Sequence, residues 1–239
     1  MFHTRSISTL ILILGVHAAA SAQDSTSAGA AGKASPFSFT ASVMQSRPQG
    51  DLARNIGIGY GGEITFLYNL DAAGILSLRA NAGVAQYGDE VNSTSFSGGA
   101  AGRVDLAVHT SNYIVPMSVG PQLMWPTGLL RPYVNAGVGG QAYFTESRVE
   151  GPHLGSVIAS TTNQSDFSLA WTAGGGLYVP FSVRSRHVAV DLGAEYMNGG
   201  STRYLAQGSI TDLPSGISVS PLESSTHLVI VKLGARVGL

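Results

Sequence analysis

His109 and Ser111, in the run His109-Thr-Ser111-Asn112, are the residue types from which a base and a nucleophile are built. They share the parity of Tyr113, so on a strand both project from one side. Such a pair works only if the base reaches the nucleophile and a third group, commonly a carboxylate, orients the base. The stretch from Pro121 to Pro126 carries no carboxylate, and Glu146 falls on a later loop. His153, His187 and His227 lack metal-ligand spacing. Gly57-x-Gly59-x-Gly61-Gly62 sits inside a strand pattern with no helix after it, so it is not a nucleotide-binding loop. Neither a metal nor a cofactor site emerges. The other chemistry-bearing set is ionic: Glu63, Arg79, Asp191, Glu195, Lys232 and Arg236, three acids and three bases on one parity.

The elements that position these residues alternate with period two. Phe37, Phe39, Ala41 and Val43 alternate with Ser38, Thr40 and Ser42. The same scheme recurs in 55–69, where Ile56 and Ile58 start the apolar face, and in 75–87, 113–125, 132–144, 167–181, 188–197 and 227–239. Eight segments of this kind are strands, since period 3.6 does not fit. Short connections at 70–74, 126–131 and 182–187 alternate with long ones at 46–54, 88–112, 145–166 and 198–226. Parts of the long connections also alternate, so some strands are expected to project, and an extra hairpin would make ten.

Composition narrows the class. The chain has 239 residues, no cysteine and a formal net charge of -1, and charged residues make up 11%. A soluble domain carries about 25%. A basic nucleic-acid binder is excluded as a first reading. Mean hydropathy is only +0.19, and no apolar run reaches the length of a spanning helix. At the N-terminus, Arg5, an apolar run from Leu10 to Ala20 and the small residues Ala20-Ser21-Ala22 read as a secretory signal peptide over 1–22. Residues 23–36 are small and polar, a flexible lead-in, and 37–239 form one all-β domain.

The faces decide between a soluble and a membrane barrel. One face keeps its apolar sign through all eight segments, while the other is Gly, Ser, Asn, Thr and a few charges. A soluble barrel has the opposite polarity. In lipid every backbone polar group must pair internally, so strands must close. The expectation is an eight-stranded antiparallel transmembrane β-barrel, an up-and-down meander. Its aromatics fall into two outward girdles. Phe37, Phe39, Phe66, Tyr68, Trp125 and Phe181 lie at the short-turn rim, and Tyr60, Tyr113, Phe144, Phe167 and Tyr196 at the other. Counting from the turns predicts inward pairs Glu63–Arg79, Asp191–Arg236 and Glu195–Lys232, a structural salt-bridge plug.

Tyr113-Ile-Val-Pro-Met-Ser-Val-Gly-Pro-Gln-Leu followed by Arg131-Pro-Tyr-Val-Asn-Ala-Gly-Val-Gly-Gly resembles a strand pair of the OmpA-like and opacity-like outer-membrane barrels. The resemblance covers 37–239. It implies a Gram-negative outer-membrane location, contact with lipid and lipopolysaccharide, and insertion by the barrel assembly machinery. Members commonly end in Phe, whereas this chain ends in Leu239. The His109-x-Ser111-Asn112 run is similar to that of outer-membrane lipid A deacylases, whose nearby carboxylate has no match here. The expected role is structural or surface-interacting, adhesion-like and without catalysis. Any extracellular ligand would meet 88–112, 145–166 and 198–226. The alternatives are a small channel for solutes and a deacylase-like enzyme.

Overall fold

The computed structural model describes residues 35–97, 103–150, 157–183, 186–206, 210–213 and 216–238. The signal-peptide segment and nearly all of the lead-in lie outside the described residues, as do His153 and Leu239.

Strands β1 (Phe37–Gln49), β2 (Gly59–Asn69), β3 (Leu76–Ser97), β4 (Arg103–Met124), β5 (Arg131–Glu150), β6 (Val157–Val183), β7 (Arg186–Tyr204) and β10 (Leu222–Gly238) form one closed antiparallel barrel in meander order. β10 closes on β1, from Ser38 opposite Gly238 to Gln49 opposite His227. β8 (Ile210–Leu213) and β9 (Gly216–Val219) pair only with each other as a two-stranded hairpin. The extra alternation in the β7–β10 connection therefore adds no staves, and the barrel count is eight.

Alternation of burial follows the sequence parity. In β1 the inward Ser38, Thr40, Ser42, Met44 and Ser46 are buried, and Phe37 and Val43 are exposed. The turn between β2 and β3 is tied by Asp71. Its carboxylate accepts backbone bonds from Ala73 (3.0 Å), Ile75 (3.2 Å) and Leu76 (2.6 Å), and Gly74 takes φ 71°. That backbone donation, strongest from Leu76, holds the Asp71 carboxyl below the ordinary carboxylate range.

Two features depart from the sequence reading. The first is strand length. The segments 88–112 and 145–166 are largely strand, not loop, because β3 to β6 run for 22, 22, 20 and 27 residues. β1 and β2 have 13 and 11. Crossing a bilayer takes about 9–11 tilted residues. One wall of the barrel thus rises well above the other. Pairing of β3 with β2 ends at Gln86, while pairing with β4 continues to Ser97.

The second departure concerns the β1–β2 connection and the interior it covers. Ile56 does not begin an outward strand face. Leu52–Asn55 form the helical turn α1, Ile56 is buried, and β2 starts at Gly59. Leu52, at 0% exposure, and Ile56 join Met44, Ile114, Met197, Leu228 and Ile230 in an apolar cluster that fills the end of the lumen away from the short turns. The lumen is therefore not uniformly polar. Apolar side chains there would face water unless the connection folded inward, and burying Leu52 and Ile56 removes that cost.

Candidate functional site

The six inward charges lie in the other half of the lumen, toward the short turns, and Glu63 is their hub. Lys232 Nζ donates to Glu63 Oε1 at 2.7 Å, and Arg79 Nη2 lies 3.5 Å from the same oxygen. Thr65 Oγ1 adds a bond to Oε1 at 3.0 Å and Asn81 Nδ2 one to Oε2 at 3.3 Å. Lys232 also reaches Glu195 Oε2 at 3.6 Å. The side chains of Glu63, Glu195, Lys232 and Arg79 are at most 3% exposed. Arg79 Nη1 donates to Gln122 Oε1 at 2.9 Å, and Asn135 Nδ2 to Glu195 Oε2 at 3.1 Å.

The register explains how long charged side chains fit. Glu63 stands opposite Gly83, Arg79 opposite Gly120, Glu195 opposite Gly174, Lys232 opposite Gly193 and Asp191 opposite Gly234. Each of these five has a glycine on an adjacent strand, which leaves room for the side chain to lean toward the axis. Much of the glycine excess serves this purpose. At Gly120 a Cβ would run into the carbonyl oxygen of Ala136, so the backbones also approach too closely for any side chain.

The expected Asp191–Arg236 pair is not made. Asp191 accepts a bond from the Tyr133 hydroxyl at 2.8 Å. Arg236 stands opposite Ala189, donates to Ser38 Oγ at 3.1 Å and lies 4.5 Å over the Tyr178 ring. Tyr133 and Tyr178 stack at 4.6 Å between the two. Lys232 and Glu195 meet although Lys232 is opposite Gly193 and Glu195 opposite Ile230. Glu63 and Arg79 also meet without being direct neighbours in register. Ion pairs here form across the narrow interior, where side chains from several strands converge. Tyr133, Tyr178, Gln122, Asn81 and Asn135 were missed as members; their inward parity was the available signal.

Above the ionic layer the lumen is closed by the apolar cluster. Tyr87, Tyr143 and Tyr204 pack within it, with Tyr143 and Tyr204 rings 5.8 Å apart. Asn55 Nδ2 donates to the Tyr204 hydroxyl at 2.7 Å, and Tyr87 donates to the Leu205 carbonyl at 3.0 Å. Both inward-folded connections are thus tied to barrel tyrosines.

On the outer surface, no charged side chain lies between two rims. On β4 the outward positions run Trp125, Leu123, Pro121, Val119, Met117, Val115, Tyr113. At the short-turn rim Phe37 contacts Phe66 (5.7 Å) and Tyr68 (5.1 Å), and Trp125 and Phe181 are exposed. At the far rim Tyr113 stacks on Phe144 at 5.0 Å, and Tyr60 and Phe167 are exposed. Tyr196 packs edge-on against Trp171 at 5.8 Å, which adds Trp171 to that set.

Just past Tyr113 and Phe144 the outward surface turns ionic. Ser111 stands between Asp89 on β3 and Glu146 on β5, so carboxylates absent along the chain are supplied by neighbouring strands. Ser111 Oγ donates to Asp89 Oδ1 at 3.1 Å rather than to His109. Arg148 holds Glu146 at 3.1 Å, and His109 stands opposite Arg148. A nucleophile bonded to a carboxylate instead of a base is not an assembled catalytic pair. Among the described residues no cluster of His, Asp or Glu has the arrangement of a metal site.

The fold therefore defines a class: a closed eight-stranded meander barrel with an apolar, aromatic-banded exterior and an ionic interior. No protein-family model matches the chain, and no curated protein does. Among solved structures, Neisserial surface protein A is similar at 14% identity and a TM-score of 0.42, with 86% of this chain and 99% of that one covered. Ail of Yersinia pestis gives 14% and 0.42 over 85% and 98%. OprG of Pseudomonas aeruginosa gives 14% and 0.41 over 86% and 97%.

Proposed function

We propose that this protein is an outer-membrane barrel with a structural and surface-interacting role and no catalysis, and that its lumen does not conduct. The carrying observation is the inverted polarity. The outward face between the aromatic rims is free of charge, and the six ionic side chains lie inside. Water on the outside would leave that belt of exposed Val, Leu, Ile and Phe unpaid, whereas lipid covers it.

The raised wall of β3 to β6 supports the interaction role. It carries the outward Asp89, Ser111, His109, Glu146 and Arg148 beyond the aromatic rim, where partners in water can reach them. Lipopolysaccharide would surround its base, and the barrel assembly machinery would insert the chain. Two layers oppose a channel: the Glu63-centred ionic plug and the apolar cluster sealed by Leu52 and Ile56.

In planar bilayers the purified barrel is expected to give no conductance steps. Displayed on a non-adherent Gram-negative host, it is expected to raise attachment to immobilised extracellular-matrix protein. A variant with Asp89, Glu146 and Arg148 changed to Ala should lose that gain at equal surface abundance. Steady ion conductance, or attachment unchanged by the triple variant, would overturn the reading. Loss of acyl chains from the host's lipid A, abolished by His109→Ala, would establish the enzyme instead.

A further inference from the structure

The short-turn rim is not uniform. At its β4–β5 corner Trp125 is 67% exposed, and the turn that follows carries Leu129 and Leu130 at 74% and 56%. Leucines on a turn are costly in water, so this corner calls for an apolar neighbour. Beside it lies a groove of about 330 Å³, lined by Ile75, Leu123, Trp125, Pro132 and Val134 on the outward face. Its volume is at the lower end of ligand-sized pockets, about 300–1,000 Å³. Its floor is backbone already in use, since Trp125 N donates to the Pro132 carbonyl at 2.9 Å. The groove thus offers a guest apolar contact and no free hydrogen-bonding group.

Arg131 stands at the mouth, next to Pro132. Its one hydrogen bond is a long one, Nε to the Gly128 carbonyl at 3.5 Å, and no ion pair to it occurs among the described residues. An arginine with donors to spare, next to an apolar slot that opens on the outward belt, fits a ligand with an acyl chain and an anionic head. Guanidinium recognises phosphate through paired N–H donors.

We infer that the β4–β5 corner binds one anionic phospholipid of the periplasmic leaflet, with an acyl chain in the groove and its phosphate on Arg131. The inference rests on the membrane reading above. It goes further, because lateral contact with bulk lipid requires no preferred headgroup.

The test uses the two tryptophans, Trp125 and Trp171. A Trp171→Phe chain leaves Trp125 as the only indole beside the groove. It is refolded into phosphatidylcholine vesicles containing a small share of brominated-chain phosphatidylglycerol, or the same share of brominated phosphatidylcholine. One cation near an anionic headgroup enriches it by about fivefold. Trp125 quenching by the phosphatidylglycerol should therefore exceed that by the phosphatidylcholine to match, and Arg131→Gln should erase the excess. Equal quenching by both lipids would overturn the site while leaving membrane insertion intact. No quenching by either would overturn the membrane reading itself. If the Phe variant folds poorly, native mass spectrometry of the unsubstituted chain in mixed lipid serves. One retained phosphatidylglycerol, lost in Arg131→Gln, supports the site, and no retained lipid of that class contradicts it.

Discussion

Glu63→Gln is expected to lower the barrel's unfolding free energy by about 3–5 kcal/mol, the cost of leaving buried charge without its partner. The change keeps the side-chain shape, so packing is nearly constant and the charge carries the effect. Lys232 at 2.7 Å and Arg79 at 3.5 Å would then face a neutral amide. Glu195, at 3.6 Å from Lys232, compensates only in part. Adding Lys232→Met removes the cation most dependent on Glu63 and restores lumen neutrality. The double variant should recover at least half of the loss, because a buried ion pair and an apolar replacement are often of similar stability. Urea unfolding in lipid vesicles, followed by tryptophan emission, measures both. A Glu63→Gln midpoint equal to that of the parent would show the plug to be dispensable.

Val119→Arg is expected to cost about 2–4 kcal/mol in the same vesicles, whereas Gln86→Arg should cost about 0–1 kcal/mol. Val119 faces outward on β4, level with Ala80 and Val138 on its neighbours and midway between Trp125 and Tyr113. Gln86 stands beside Tyr113 at the far aromatic rim. The two positions differ in depth more than in secondary structure, so the gap between their costs reports the solvent around the barrel. A soluble barrel would accept arginine at both sites with similar small effects, and that outcome would reject a lipid-covered exterior.

Much of this architecture was legible in the residues because a β-strand has a side-chain period of exactly two in sequence and the two environments differ sharply. The outward sets from Phe37 to Val43 and from Tyr113 to Trp125 follow from parity alone. Register was harder. The β2–β3 pairing is set by how Asp71 gathers three backbone N–H groups and by the positive φ of Gly74, which shifts the centre of the turn. The β7–β10 register has no tight turn to set it, since a long connection and the β8–β9 hairpin intervene, and a bulge falls between Ser225 and Thr226. Asp191 therefore met Tyr133 rather than Arg236.

The apolar half of the lumen was hidden for a different reason. Met44, Ile114, Met197, Leu228 and Ile230 sit at inward parity, but their partners Leu52 and Ile56 come from a connection whose path no periodicity reports. Likewise, Asp89 and Glu146 flank Ser111 only because neighbouring strands bring them there, from 22 positions before it and 35 after it in the chain. The local run around His109 could not reveal them.

The central claim is that the apolar parity faces lipid along the full height of each strand. The chain has no cysteine, so single cysteines at successive positions 115 to 123 can each carry a nitroxide label in refolded vesicles. Electron paramagnetic resonance then reads collision with oxygen, which concentrates in lipid, against collision with a water-soluble nickel complex. The account predicts high oxygen and low nickel contact at 115, 117, 119, 121 and 123, and low contact with both reagents at the even positions. Nickel contact at the odd positions, or no alternation, would contradict it.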